Sequence, residues 1–242
     1  NAAVELALNF EEQGADIIDV GGESTRPPSI YEGAEPVTEE MELLRVLPAI
    51  QAMERVIGVP ISVDTSKAKV ASQAIEAGAS MVNDVWALQR DPDIKRVVSD
   101  KRVPVVLMHN QNGVFYRDLV PDIVNVLRRV VDSAVNAGID KENVIVDPGI
   151  GFGKTAEHNL EIIRRLPEFA ELSRPLLVGM SRKSTIGEVL DLPIEQRLEG
   201  TAATVALSIV GGADIVRVHD VDEMVKVAKM SDAIVRGGSP NR

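Results

Sequence analysis

The sequence predicts an α/β protein of the (β/α)8 TIM-barrel class, and three observations carry that prediction. Short β-branched runs alternate with helical patterns along all 242 residues, as parallel strands joined by right-handed crossovers require. Polar groups gather immediately after one apolar run after another, the place where α/β enzymes put their ligand groups. Glycine phrases (Gly14-Ala15-Asp16, Gly78-Ala79-Ser80, Gly212-Ala213-Asp214) each close an apolar-periodic helix just ahead of a strand.

In chain order, a helical stretch from Ala2 to Gln13 ends at Gly14 and leads to the first strand core, residues 17–20. Gly21-Gly22-Glu23-Ser24-Thr25-Arg26-Pro27-Pro28 follows, and the polar, turn-forming run to Thr38 reads as a mobile flap on the ligand side. The strand core 61–63 runs into Asp64-Thr65-Ser66-Lys67, 81–83 carries Asn83 ahead of Asp84, and 105–108 runs into His109. The core 144–146 opens onto Asp147-Pro148-Gly149-Ile150-Gly151-Phe152-Gly153-Lys154-Thr155. The core 176–179 leads to Ser181-Arg182-Lys183-Ser184, and 215–218 carries Arg217 ahead of His219. Pro60, Pro104 and Pro175 precede strands, where a missing N–H does least harm. That makes seven strands, and a closed (β/α)8 barrel needs eight. The expectation is a barrel whose strand 1 and its loop are absent from the chain; an open seven-stranded sheet is the competing architecture.

Length and a 45% hydrophobic content support one domain over residues 1–242. Lys+Arg 26 against Asp+Glu 37 leaves a net charge of −11, which argues against broad nucleic-acid or anionic-membrane binding. Aromatics are only 3%, too sparse for stacking platforms, and no apolar run is long enough to cross a bilayer. With no cysteine there is neither a disulfide framework nor a thiolate site, so a cytoplasmic enzyme is expected.

Asp64 and Asp147 each fit a turn cap as well as a ligand group. Together with Asn83 at a third strand end, they suit a flat heterocycle that offers both N–H donors and ring acceptors. Arg217 and His219 alternate on one predicted strand and therefore share a face, which in a barrel is the interior. A buried Arg needs an internal acid or a bound anion, so this pair points to phosphate or pyrophosphate. For Arg182 a salt bridge to a nearby acid is the simpler reading. The glycine-rich segment lacks the spacing of a nucleotide loop, and none of the three histidines pairs at zinc-helix spacing.

GGESTRP, SVDTSKAKVA, MVNDV, MH-x-Q, DPGIGFGKT, GMSRKS and RVHDV, in this order, resemble the dihydropteroate synthases over essentially the whole chain from Ala2 to Asp232. The resemblance implies a (β/α)8 fold, a homodimer and the joining of 6-hydroxymethyl-7,8-dihydropterin pyrophosphate to 4-aminobenzoate with Mg2+ assistance, sulfonamides competing with the aminobenzoate. It further implies that Asp64, Asn83, Asp147 and Lys183 hold the pterin, with Met108, Val85 and Gly179 in the slot. Arg217 would stack on the ring and reach the pyrophosphate with His219, so that Lys183, Arg217 and His219 are the catalytic candidates. Thr25 would meet the diphosphate, and Arg26, Phe152, Lys183 and Ser184 would border the aminobenzoate. The family's Asn-x-x-Pro-Asp-Ser pattern, which supplies the magnesium ligand, has no counterpart here, so no metal ligand is expected within the chain. Two other readings share the strand-end acids. A pterin-dependent methyltransferase has no need of SRKS, Arg217 or His219, and a non-catalytic pterin-binding module would show no turnover.

Overall fold

The computed structural model describes residues 2–24 and 37–237, and strands alternate with helices throughout. Helix α1 (Ala2–Glu12) leads to strand β1 (Ile18–Gly21), α2 (Glu39–Glu54) to β2 (Ile61–Asp64), and α3 (Ala68–Glu76) to β3 (Met81–Asp84). Then come α4 (Ile94–Lys101), β4 (Val105–Met108), α5 (Leu119–Asn136) and β5 (Val144–Asp147). The chain continues through α6 (Ala156–Arg164), β6 (Leu177–Val178), α7 (Ser184–Leu190), α8 (Leu198–Val210), β7 (Ile215–Val216) and α9 (Val221–Val235). Every predicted strand core is present; the last two are shorter than expected.

The chain divides into two compact units, residues 1–110 with 128–145, and residues 111–127 with 146–242. In the first, β1, β2, β3 and β4 pair in sequence order, all in parallel, and β5 follows β4 in the sheet. Every residue of β2, β3 and β4 is buried, as expected of parallel strands covered on both faces. Val63, Val82 and Val106 from the strands join Val70 and Ala74 of α3 and Ile94 of α4 in its core. Pro60 and Pro104 serve as acceptors at the strand entrances, taking the N–H of Ile18 and of Val82 at 3.0 Å each.

In the second unit, β6 pairs with β7 in parallel, and a single bridge joins Val146 to Leu176. Val205 and Ile209 of α8 pack with Met224 of α9, and Val216, Val218 and Val227 close over them. Gly14, Gly78 and Gly212 hold positive φ values of 97°, 122° and 98° just past their helices, the left-handed position that stops a helix without a Cβ penalty. Among the described residues no helix is long and apolar enough to cross a membrane.

Candidate active site

In the first unit the polar strand ends converge through register. Asp64, the last residue of β2, lies opposite Asn83 of β3. Both are buried, at 6% and 7% exposure. The Asn83 amide donates from Nδ2 to Asp19 Oδ2 at 3.1 Å, which fixes the direction in which its carbonyl points. Asp19 was not among the expected site residues; its signal was an acid interrupting the apolar run Ile17-Ile18-Asp19-Val20.

Asp84 follows Asn83 but does a different job. Its carboxylate accepts the N–H of Trp86 at 2.9 Å and of Leu88 at 2.7 Å. Those bonds hold a turn in which Ala87 and Leu88 adopt positive φ of 51° and 59°, sparsely populated for side-chain-bearing residues. Burial pushes the Asp84 carboxyl above the usual range, against the pull of these backbone donors. Asp84 therefore builds the turn, which leaves Asn83 as the candidate ligand group at this strand end. Val85 and Met108 are buried beside the same strand ends.

The chain leaving β1 is held onto α2. Arg45 donates to the Gly22 carbonyl at 2.8 Å, and Lys67 bridges Glu23 at 2.5 Å and the buried Glu42. Burial works against the charge on Lys67, but the two carboxylates outweigh it and raise its pKa. Thr25 and Arg26, both expected to contact substrate, and the flap expected beyond them at 27–35 lie outside the described residues, 37 and 38 apart.

In the second unit the centre is Asp147. Its Oδ1 accepts the Gly149 N–H at 2.6 Å, so the carboxylate shapes the turn after β5 as well as facing its neighbours. Burial raises its pKa, opposed first by Lys183, then by the Gly149 N–H, Lys154 and Arg217. Three cations thus bear on one buried acid. Lys183 donates from Nζ to the Ile150 carbonyl and stands 5.2 Å over the Phe152 ring. The Gly151 N–H donates to Asn159 Oδ1 at 2.9 Å, and Asn159 donates in turn to Thr185 Oγ1 at 2.8 Å. This links the glycine-rich turn to α7, whose first residue is Ser184.

Lys154 is the residue the sequence did not single out. It is 6% exposed, and its Nζ donates to the Phe152 carbonyl at 2.9 Å. Burial lowers its pKa to about 7, with Lys183 adding to that effect and Asp147 opposing it. The Tyr116 hydroxyl, bonded to the Gly153 carbonyl at 2.8 Å, roofs the same turn. His158 belongs to structure: it completes the Thr155 capping box at the start of α6.

Arg217 and His219 correct one expectation. β7 ends at Val216, so the two residues follow the strand instead of lying on it, although the Arg217 N–H still donates to the Val178 carbonyl at 3.0 Å. The ladder stops because its partner β6 gives way to Gly179 and then to the turn at Arg182, whose φ is 56°. Both side chains are exposed, so neither is the buried group that the barrel interior predicted. Gly179 and Arg217 remain neighbours: a Cβ placed on the glycine would lie 3.7 Å from the Arg217 Cβ. His219 sits with Nδ1 3.0 Å from Ser181 Oγ, which also accepts the His219 backbone N–H at 3.2 Å. Among the described residues no group of three or more His, Asp or Glu is placed to hold a metal ion.

Residues 1–219 match the model of one family of known proteins, described as pterin binding enzymes. The chain belongs to the pterin-binding enzyme family. A dihydropteroate synthase of Clostridium beijerinckii is 50% identical over 237 residues, covering 98% of this chain and 86% of the relative. Among solved structures, this pterin-binding enzyme superposes with a TM-score of 0.93 at 46% identity on the dihydropteroate synthase of Clostridium difficile, determined in the presence of pteroic acid. The match covers 97% of this chain and 88% of that one. The Xanthomonas albilineans dihydropteroate synthase with 4-aminobenzoic acid gives a TM-score of 0.92 at 42% identity, covering 99% and 85%. The family's fold, the (β/α)8 type expected from the sequence, is therefore the fold class of this chain, with seven strands among the described residues.

Proposed function

We propose that this pterin-binding enzyme is a dihydropteroate synthase that condenses 6-hydroxymethyl-7,8-dihydropterin pyrophosphate with 4-aminobenzoate, releasing pyrophosphate. The observation that carries the reading is Asp147, a buried carboxylate at a strand exit, kept near Lys183, Lys154 and Arg217. A buried acid of this kind takes the N–H edge of an aminopterin ring. In the first unit Asn83, oriented by Asp19, offers a donor and an acceptor, and Asp64 a further acceptor, which suit the same ring chemistry.

In the reaction the bond between the pterin methylene and the diphosphate oxygen breaks, its electron pair leaving with the diphosphate. The aminobenzoate nitrogen then forms the new carbon–nitrogen bond and gives up a proton to the departing anion or to water. The ring's electron release eases the first step, so the protein's task is to stabilise the leaving charge. Arg217 and His219 suit that task, with Lys183 between ring and anion. Phe152 and Ser184 border the aminobenzoate, with Thr25 and Arg26 completing the two substrate regions. Mg2+ is the expected cofactor, and a diphosphate binds such ions through its own oxygens.

Sulfonamides are expected to compete with 4-aminobenzoate. The exposed Leu207 and Val210 of α8 and Met230 and Ile234 of α9 support a homodimer. A cytoplasmic location fits a folate-pathway enzyme. The test is a coupling assay in which dihydropteroate forms from the two substrates. Product that depends on both and falls with added sulfonamide establishes the function, whereas pterin binding without product supports a non-catalytic module.

A further inference from the structure

Arg182 stands between Ser181 and Lys183, and both its main chain and its guanidinium are engaged within the second unit. Its N–H donates to Thr201 Oγ1 at 3.1 Å, and its carbonyl accepts from Arg197 Nη1 at 3.0 Å. Its guanidinium grips Asp220 with two parallel bonds, Nε to Oδ2 at 2.9 Å and Nη2 to Oδ1. The backbone is left-handed here, with φ 56°, which a side-chain-bearing residue holds only when its surroundings impose it.

Asp220 is equally unusual. It is the residue at the N-terminal cap of α9, where an Asp ordinarily accepts the helix's own N–H groups, yet its side chain caps nothing and turns to Arg182. Giving up that cap needs a reason. The pair is 39% and 14% exposed at its side chains, so as a surface ion pair it adds little stability. What a bidentate fork supplies is geometry, since two parallel bonds fix both a distance and an angle. The tie joins the position next to Lys183 to the position next to His219, and Ser181 repeats the link by holding His219 from the other side of Arg182.

We propose that the Arg182–Asp220 pair is a positioning device that sets Lys183 and His219 at the separation a diphosphate leaving group requires. The proposal rests on the synthase reading for the identity of that anion. Neither residue touches the reacting atoms; each acts through its neighbour in the chain.

The test uses the full chain and inorganic pyrophosphate as the probe. Pyrophosphate and pteroic acid affinities are measured by calorimetry, and coupling kinetics in parallel, for Arg182→Met, Arg182→Lys, Asp220→Asn and the Arg182→Met/Asp220→Asn double variant. The expected result is about a tenfold weaker pyrophosphate affinity and a lower kcat in each single variant. Pteroic acid affinity should fall by less, because Asp64, Asn83 and Asp147 still hold the ring when Lys183 shifts. Arg182→Lys should fail to rescue, because it restores charge without the fork. The double variant should be no worse than the worse single one. Unchanged pyrophosphate affinity in folded variants overturns the proposal, even where the melting temperature falls, because a purely structural pair does that. Parallel loss of both ligands, rescue by Lys or additive losses overturn it as well. If the wild-type chain binds pyrophosphate but does not couple the substrates, the synthase reading fails while the positioning argument is still decided by the affinities.

Discussion

Replacing Lys154 by Met should change how stability depends on pH, in a direction that the burial of this one side chain determines. In the unfolded chain the amine keeps its proton to about 10.5, whereas in the folded protein it releases it at about 7. Between those values the unfolded chain binds one more proton, so raising the pH favours the folded state. The gain is complete above about 10.5 and is lost as the pH falls through about 7, where the folded protein must bury a charge. The slope is about 1.4 kcal/mol per pH unit and the whole effect is at most on the order of 5 kcal/mol. Met keeps the unbranched length, so the variant loses the bond to the Phe152 carbonyl, worth about 1 kcal/mol, and loses the titration. Urea unfolding of both proteins at intervals from pH 6.5 to 9.5 measures this directly. The advantage of the variant over the wild type should be largest at pH 6.5 and shrink steadily as the pH rises. A difference that stays constant across that range would show that the amine titrates normally and that its burial carries no charge penalty.

Asp147→Asn should weaken pteroic acid binding about ten- to hundredfold in a folded protein, since the amide loses the charge and sets an NH2 donor where the second carboxylate oxygen accepted; unchanged affinity by calorimetry would remove Asp147 from the ring site. Gly153→Ala should destabilise by about 2 kcal/mol and raise the KM for aminobenzoate, because φ is +57° and the new Cβ would lie 2.4 Å from the Gln111 carbonyl oxygen. Gly113→Ala, with φ +81° but open space around it, is the control and should cost only about 1 kcal/mol of strain in the same denaturation assay.

The strands and the order of the motifs were legible because a parallel sheet writes itself as short, wholly apolar runs, and ligand groups sit where those runs stop. Asp64, Asn83 and Asp147 could be named on that basis alone. What register decides was not legible. Asp19 meets Asn83 across strands far apart in sequence, so only pairing reveals that the acid orients the amide. Nor does Asn83-Asp84 say which of the two ties the turn; the N–H groups of Trp86 and Leu88 decide that. Lys154 stands in the sequence only as the residue that closes the glycine-rich segment, and its place beside the Tyr116 ring comes from the fold. Arg217 and His219 were put on a strand because alternation continues through Val218, whereas the ladder ends where β6 runs out of backbone to pair with.

Strands β1 to β5 are each four residues long, and in β2 and β5 the acid proposed for the ring site is the final one. Side chains alternate strictly along such a strand, so gaining or losing a single residue inside it would swing the acid to the opposite face. Natural variants should therefore tolerate length changes very unevenly. A codon inserted among the few that encode β2 or β5 removes the site in one step. The same codon placed between a helix and the next strand leaves the acid where it was. Across lineages, insertions and deletions should be purged from the strands and accumulate in the connections that enter them.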